Sequence, residues 1–210
     1  KGAAAEILVG VHVTFGALGK DIEVALSALR LLGIDISPHP SGAEVVAEYE
    51  CVQRLLRELE GAVPSHDVGD IERVLDLPRM TDPEAALATR LLSILFGPSW
   101  SDPNLLAYQI CKLVRLSLEK GNTGCSVHGY GWFGVLTAHV FHRYEDGYRW
   151  AKAGYALMLR DYPAMKAKAD YFMSVVSIWA QSLDTVIEHA RAAAYVGLDI
   201  GDLPVASWCR

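Results

Sequence analysis

Histidines and a cysteine in the middle of the chain have the spacing of metal ligands. Cys125 and His128 are three residues apart, and so are His139 and His142. Side chains at this spacing lie on neighbouring turns of one helix face, and thiolate sulfur and imidazole nitrogen are good Zn²⁺ ligands. On a straight helix, however, Cys125 and His142 are about 25 Å apart at about 1.5 Å per residue, too far for one coordination shell. We therefore expect no metal site and predict ordinary packed or surface histidines.

A glycine pattern of the form G-x-G-x-x-G occurs in Gly129-Tyr130-Gly131-Trp132-Phe133-Gly134. In dinucleotide-binding folds this pattern follows a strand and opens a helix, so that backbone can approach a pyrophosphate. Here no apolar strand precedes it, and Trp132 and Phe133 would crowd the phosphate position. We expect these glycines to serve close helix packing, with no nucleotide or other cofactor bound.

Catalytic signatures are missing from the sequence. It contains no G-x-S-x-G elbow, no H-R-D or D-F-G motif, no G-x-x-x-x-G-K-[ST] phosphate loop and no recognisable phosphoacceptor histidine box. Glu145 and Asp146 are better placed to cap a helix than to act as an acid and base pair. We predict no catalytic residues and no enzymatic activity in this chain.

Composition narrows the class of protein further. The chain has 210 residues, of which 51% are hydrophobic, and a formal net charge of −6, so a buried core is expected and a nucleic-acid partner is not. Its four cysteines form no C-x-x-C pair, which favours reduced thiols in the cytoplasm. Residues 121–142 lack Asp, Glu, Lys and Arg over a length that could cross a bilayer, but the run includes Asn122, several glycines and three histidines. We expect a buried helix there and no membrane insertion.

Small residues recur at helical spacing in a way that is typical of stacked helical hairpins. Ala151 and Gly154 follow Asp146, and Ala190 and Ala193 follow Asp184. The interval from Ala151 to Ala190 is 39 residues, which is within the range of tetratricopeptide and HEAT repeats. A similar pattern, with Ala25 and Ala28 after Asp21, stands near the start of the sequence. Small side chains let neighbouring helices approach closely, which is what a solenoid requires.

Helix signals dominate and nothing reads as a sheet. Local capping patterns predict helix starts at Ser41-Gly42-Ala43-Glu44, Thr81-Asp82-Pro83 and Ser101-Asp102-Pro103, and Gly33 is expected to end a helix. The predicted helices are 7–18, 21–32, 43–59, a short one at 70–77, one starting at 83, 103–120, 126–142, 145–159, 163–182, 185–196 and 205–210, with a loop at 61–69.

These elements predict an all-α fold, an antiparallel helical-hairpin array that forms a tetratricopeptide-like α-solenoid with an irregular insert. We divide it into a first helical hairpin at 1–37, an irregular helical insert at 38–80 and the helical-repeat array at 81–210. All three belong to one domain, which we take to be a fragment of a longer chain. An apolar end of such an array is a possible site for homodimer formation.

Three ordered segments carry a resemblance to a known family. They are Ala28-Leu29-Arg30-Leu31-Leu32-Gly33-Ile34-Asp35, Leu75-Asp76-Leu77-Pro78-Arg79-Met80-Thr81-Asp82-Pro83 and Leu113-Val114-Arg115-Leu116-Ser117-Leu118-Glu119-Lys120-Gly121-Asn122. Over nearly the whole length, the chain resembles the tetratricopeptide-like helical region of multidomain signalling proteins. In that family a serine/threonine kinase-like domain and an AAA or STAND-type ATPase precede the helical region, and a GAF sensor and a histidine kinase often follow it.

The resemblance implies a non-catalytic regulatory and protein-interaction module of a signal-transduction kinase, with other domains of the same polypeptide or a protein or peptide as partners. The alternative is a small-ligand sensory domain with a pocket between helices. Aromatic side chains are the candidates for contact with a partner, although at this spacing they are more often core residues. We select His128, Tyr130 and Trp132, on the inner helix of a predicted hairpin, as candidates for the partner groove.

Overall fold

In this computed structural model, the structure describes residues 20–59 and 71–210, and all regular elements within those ranges are helices. The α-helices are α1 (Lys20–Leu31), α2 (Gly42–Leu59), α3 (Pro83–Ile94), α4 (Pro103–Lys120), α5 (Gly124–His139), α6 (Tyr144–Asp161), α7 (Lys166–Ala180), α8 (Leu183–Ile200) and α9 (Leu203–Trp208). Short 3-10 helices occupy Ile71–Asp76, Pro98–Ser101 and Pro163–Met165. The predicted all-α class is confirmed, whereas the predicted helix at 7–18 and the predicted loop at 61–69 lie outside the described residues.

Local capping chemistry explains where the helices begin. At the start of α2, Ser41 and Glu44 form the predicted capping box: the Ser41 N–H donates to Glu44 Oε2 at 2.7 Å, and the Glu44 N–H donates to Ser41 Oγ at 3.3 Å. The Asp82 carboxylate accepts hydrogen bonds from two backbone N–H groups in the first turn of α3, and Asp102 does the same for α4. Proline occupies the first position of both helices.

The end of α1 is a Schellman motif built on Gly33. Gly33 has a φ of +78°, its N–H donates to the Arg30 carbonyl at 3.0 Å, and the Ile34 N–H donates to the Leu29 carbonyl at 2.9 Å. A glycine takes this left-handed conformation without the steric cost that a Cβ would add. The predicted stop at Gly33 is therefore confirmed.

Several helices differ from their predicted extents, and α8 spans Leu183–Ile200 instead of the predicted 185–196. Helix α5 ends at His139 and not at His142, because the Arg143 N–H donates to the Thr137 carbonyl at 3.1 Å and His142 takes a φ of +56°. At the other site, Pro163 opens a 3-10 turn, and α7 begins only at Lys166. Among the helices of the described ranges, none combines the length and the apolar composition that crossing a membrane requires.

The chain divides into two compact units, one of Lys1–Leu55 with Pro78–Cys125 and the other of Leu56–Leu77 with Ser126–Arg210. These two units have their boundaries at positions other than residues 37 and 80. The three-part division at those residues stays a prediction. In the first unit, Glu48 of α2 accepts hydrogen bonds from Lys112 Nζ at 2.8 Å and Arg115 Nη1 at 3.3 Å, both on α4. These contacts join α2 to α4 through a carboxylate that is itself buried.

Backbone hydrogen bonds join the segment before α3 to the residue that follows Gly121 at the end of α4. The Met80 N–H donates to the Asn122 carbonyl at 2.9 Å, and the Asn122 N–H donates to the Pro78 carbonyl at 2.7 Å. Gly121, which directly precedes Asn122, has a φ of +102°, and a Cβ at this position would collide with the Pro78 carbonyl oxygen. Glycine is therefore required here both by its conformation and by its close neighbour.

In the second unit, glycines bring the helices together. A Cβ on Gly134 of α5 would lie 2.5 Å from the Gly147 carbonyl oxygen of α6, and one on Gly154 would lie 3.2 Å from the Val127 carbonyl oxygen. These two contacts run in opposite directions along the helices, so α5 and α6 form an antiparallel hairpin. Gly131 of α5 lies against Phe172 of α7, which adds the third helix. The expectation that glycines and small residues serve close packing is confirmed for these helices.

Candidate functional site

The three residues predicted to line a partner groove are core residues in this structure. Tyr130 is fully buried, and His128 and Trp132 are nearly so. The Tyr130 ring packs 5.6 Å from the ring of Trp150, and the Trp132 ring packs edge-on against Phe172 at 5.3 Å. The groove assignment is therefore corrected: α5 is enclosed by its neighbours, so these side chains contact other helices instead of facing a partner.

His128 is held as a neutral imidazole. Its Nε2 accepts a hydrogen bond from Trp132 Nε1 at 3.1 Å, one helical turn away, which places the ring proton on Nδ1. Burial holds the pKa of His128 well below its usual range, and the positive charge of Lys168 lowers this pKa further. A buried neutral histidine that is bonded to an indole and packed on Phe172 is a structural side chain.

The remaining histidines of this region make ring contacts. His139 packs on Trp179 with ring centroids 6.3 Å apart, and His142 packs on Tyr144 at 6.3 Å, with its Nδ1 3.4 Å from the Tyr144 hydroxyl. The described ranges contain no group of three or more His, Cys, Asp or Glu side chains arranged to hold a metal ion.

A surface cluster of rings lies where α5 leads into α6 and where α7 ends. We call His139, His142, Tyr144 and Trp179 the aromatic patch. Tyr144 and Trp179 stack with centroids 6.0 Å apart and an interplanar angle of 28°, although Tyr144 remains 42% exposed and Trp179 39% exposed. Val140 and Ile178 are exposed beside them in the sequence. Partly exposed, pre-ordered aromatic rings are typical of anchor positions in protein interfaces.

A buried carboxylate joins α7 to α8. Asp170 Oδ2 accepts a hydrogen bond from Lys166 Nζ at 2.7 Å, and its Oδ1 lies 3.0 Å from His189 Nδ1. The hydrogen bond to Asp170 raises the pKa of Lys166. Tyr155 closes the cluster, with its ring edge-on to His189 at 5.5 Å. Because the Lys166 ammonium and the His189 imidazole both contact the Asp170 carboxylate, the cluster is suited to hold α7 and α8 together.

Two cysteines, Cys111 and Cys209, lack the lowered pKa of an activated nucleophile. Burial raises the pKa of the Cys111 thiol, and the charge of Glu48 raises it further. Burial also raises the pKa of Cys209. Nucleophilic cysteines have a lowered pKa, which favours the thiolate. No disulfide is present among the described residues.

The aromatic patch was only partly accessible to sequence reasoning. Tyr144 and Trp179 belong to the aromatic residues considered as candidates, and His139 was considered only as a metal ligand. The available signal was that His139 and Trp179 lie near the ends of uncharged segments and that Tyr144 stands beside charged residues.

The chain matches no family model, no curated protein and no solved structure.

Proposed function

We propose that this chain is a non-catalytic regulatory and protein-interaction module of a cytoplasmic multidomain signalling kinase or ATPase, with its helices stacked as in tetratricopeptide arrays. The observation that carries the proposal is the aromatic patch, in which Tyr144 and Trp179 are stacked and still open to solvent. Rings that are already ordered lose little conformational entropy when a partner covers them.

The packing of the second unit supports the tetratricopeptide-like part of the proposal. Helices α5 and α6 run antiparallel, as the contacts of Gly134 and Gly154 require. Helix α7 then returns parallel to α5, since Gly131 and His139 meet Phe172 and Trp179 in the same order along the chain. This alternation is the elementary step of a helical-hairpin stack.

The test is binding by the domains that neighbour this region in its own longer polypeptide. These domains, purified separately, are titrated by calorimetry into the wild-type chain and into the double variant Tyr144→Ser/Trp179→Ser. We expect the dissociation constant to rise at least about 30-fold in the variant, as expected when two interface anchors are removed. The matched control is Leu159→Ser, which removes an exposed apolar side chain elsewhere on α6.

An unchanged dissociation constant in the patch variant would remove the patch from the proposal, and the absence of binding to every neighbouring domain would count against the module itself. Circular dichroism of each variant confirms that it is folded.

The alternative function, a small-ligand sensory domain, is favoured by one observation. Within the described part of the chain, Thr137 Oγ1, Trp150 Nε1 and Ser177 Oγ are buried without a hydrogen-bond partner. An unsatisfied buried polar group costs about 1–3 kcal/mol, so a bound polar molecule next to one of them would be stabilising. Native mass spectrometry of the purified chain tests this alternative, since a bound small molecule would add a discrete mass that is lost on denaturation.

A further inference from the structure

Helix α8 exposes an apolar stripe along most of its length. Leu183 is 72% exposed, Ile187 44% and Leu198 49%, while the half-buried Ala190 and Ala194 lie between them on the same face. The steps of three and four residues keep all five side chains in one line, as in the seam of a coiled coil. The buried face of α8 is a different one, on which Ala193 and Gly197 pack.

Two opposite charges border this stripe. Glu188 and Arg191 are exposed on α8, three residues apart, and neither makes an ion pair or side-chain hydrogen bond with another residue in the parts of the chain that the structure describes. An acid and a base on the same side of one helix are complementary to the same pair running in the opposite direction. The stripe and its border therefore have the features of a surface that recognises itself.

We propose that the stripe on α8 binds the same stripe of a second copy of this chain, with the two α8 helices antiparallel. The two-fold axis passes between Ala190 and Arg191. Ile187 of one copy then lies opposite Ala194 of the second copy, so that a large side chain meets a small one. Leu183 lies opposite Leu198 in the same way. Alanines near the axis allow the helices to approach closely.

The charges favour the antiparallel direction. In this arrangement Glu188 of one copy lies within about 3 Å along the helix axis of Arg191 of the second copy, since the offset is two residues of about 1.5 Å each. In a parallel pairing in register, the flank that carries Glu188 and Arg191 would lie on opposite sides of the helix pair in the two copies, so these charges would not meet. Opposite charges that meet only in the antiparallel pair select partner and direction.

The inference rests on the proposed function only in that this chain acts by binding proteins at its surface. It uses α8, whereas the aromatic patch belongs to other helices. A chain that stays monomeric but still binds its neighbouring domains would overturn the inference and leave the proposed function standing. A chain that dimerises through α8 but binds no neighbouring domain would do the reverse.

The first experiment is sedimentation equilibrium of the wild-type chain over a range of concentrations. We expect a monomer–dimer equilibrium whose dissociation constant rises at least about 100-fold in Ile187→Asp, and about tenfold in Glu188→Lys. The double variant Glu188→Lys/Arg191→Glu again places opposite charges across the interface, and its dimer dissociation constant should return to within about threefold of the wild-type value. Leu159→Asp is the matched control for a charge placed on an exposed leucine elsewhere and should leave dimerisation unchanged.

Disulfide trapping tests the direction of the helices. Ala190→Cys lies next to the axis and should form a crosslinked dimer under mild oxidation. Leu198→Cys alone should not, because its two copies would be about 22 Å apart along the helices, whereas the double variant Leu183→Cys/Leu198→Cys should crosslink. The wild-type chain under the same oxidant controls for its own cysteines.

Three results would overturn the inference. One is a wild-type chain that stays monomeric at all concentrations, and another is a dimer that Ile187→Asp and Glu188→Lys leave intact. The third is efficient crosslinking by Leu198→Cys alone, which would mean that the helices run parallel. Because Glu188 is a surface residue, its variant keeps the test decisive if Ile187→Asp proves to fold poorly.

Discussion

The contact between Gly134 and Gly147 gives a prediction in which two opposing effects can be weighed. Replacing Gly134 by Ala removes a helix-interior glycine, which alone would stabilise α5 by about 0.8–1 kcal/mol. The new Cβ, however, would lie 2.5 Å from the Gly147 carbonyl oxygen and 3.2 Å from the Ala151 nitrogen. Both neighbours belong to the backbone of α6, so they cannot rotate away as a side chain could.

Relief of this clash requires α5 and α6 to separate. A gap of about 0.5–1 Å already loses a quarter to a half of the dispersion energy of the atoms involved. The affected interface includes Phe133 and Trp150, whose ring centroids are now 4.9 Å apart. Overpacking of this kind costs about 1–3 kcal/mol, and here the backbone neighbours place the cost in the upper half of that range. We therefore expect Gly134→Ala to lower the free energy of unfolding by about 1–2 kcal/mol after the gain in helix propensity.

Urea unfolding followed by circular dichroism measures this change. The matched variant is Gly154→Ala on α6, where the nearest atoms are 3.2–3.3 Å from the added Cβ, so that mild crowding and helix propensity nearly cancel. We expect Gly154→Ala to stay within about 0.5 kcal/mol of the wild type. If Gly134→Ala is as stable as the wild type or more so, the close approach of α5 and α6 is wrong.

Three further predictions concern buried or capping ionisable groups. Because burial lowers the pKa of His128, this side chain takes up a proton in the unfolded chain at a higher pH than in the folded chain. We therefore expect the free energy of unfolding to decrease below about pH 6.5, by up to about 1.4 kcal/mol per pH unit. His128→Gln should remove this part of the pH dependence in unfolding curves measured from about pH 7 to 5. Glu48→Ala leaves Lys112 and Arg115 without their shared carboxylate and should cost about 2 kcal/mol in urea unfolding, whereas a loss below about 0.5 kcal/mol would mean that the ion pairs contribute little. Hydrogen bonds from the backbone of Leu105 and from His39 lower the pKa of Asp102. The ionised Asp102 therefore stabilises the folded chain above about pH 4, and this contribution is lost as the pH falls through its folded pKa. In thermal melts, Asp102→Ala should cost about 1 kcal/mol at pH 7, and the difference from the wild type should shrink at pH 3.

Helix starts were predictable from the sequence because capping is local. Asp82 and Asp102 reach backbone groups two and three residues ahead, so the pattern of residues contains the whole interaction. The early end of α5 was not predictable in this way. No helix-breaking residue stands between Val140 and His142, and the turn depends on a hydrogen bond from Arg143 back to Thr137.

The groove residues illustrate a second limit. Residues 126–134 are buried without interruption, so every side of this part of α5 is covered. The lack of charge in this segment predicts a buried helix, which the structure confirms, and burial on all sides is incompatible with Tyr130 and Trp132 in a surface groove. Burial of a given side chain depends on which helices surround it, which the local sequence does not specify. The exposed Trp179 could only be distinguished from the buried Trp150 once the packing was known.

In the second unit, the buried ionisable side chains are paired with other side chains, and several apolar side chains outside the core remain exposed. Asp170 is occupied by Lys166 and His189, and His128 by Trp132. The exposed apolar groups include those of the aromatic patch and those of the stripe on α8. Since the two surfaces share no residue, variants in one should leave binding at the other unchanged, and the combined variant should show the sum of the two losses. A partner that loses affinity when either surface is altered would instead bridge both.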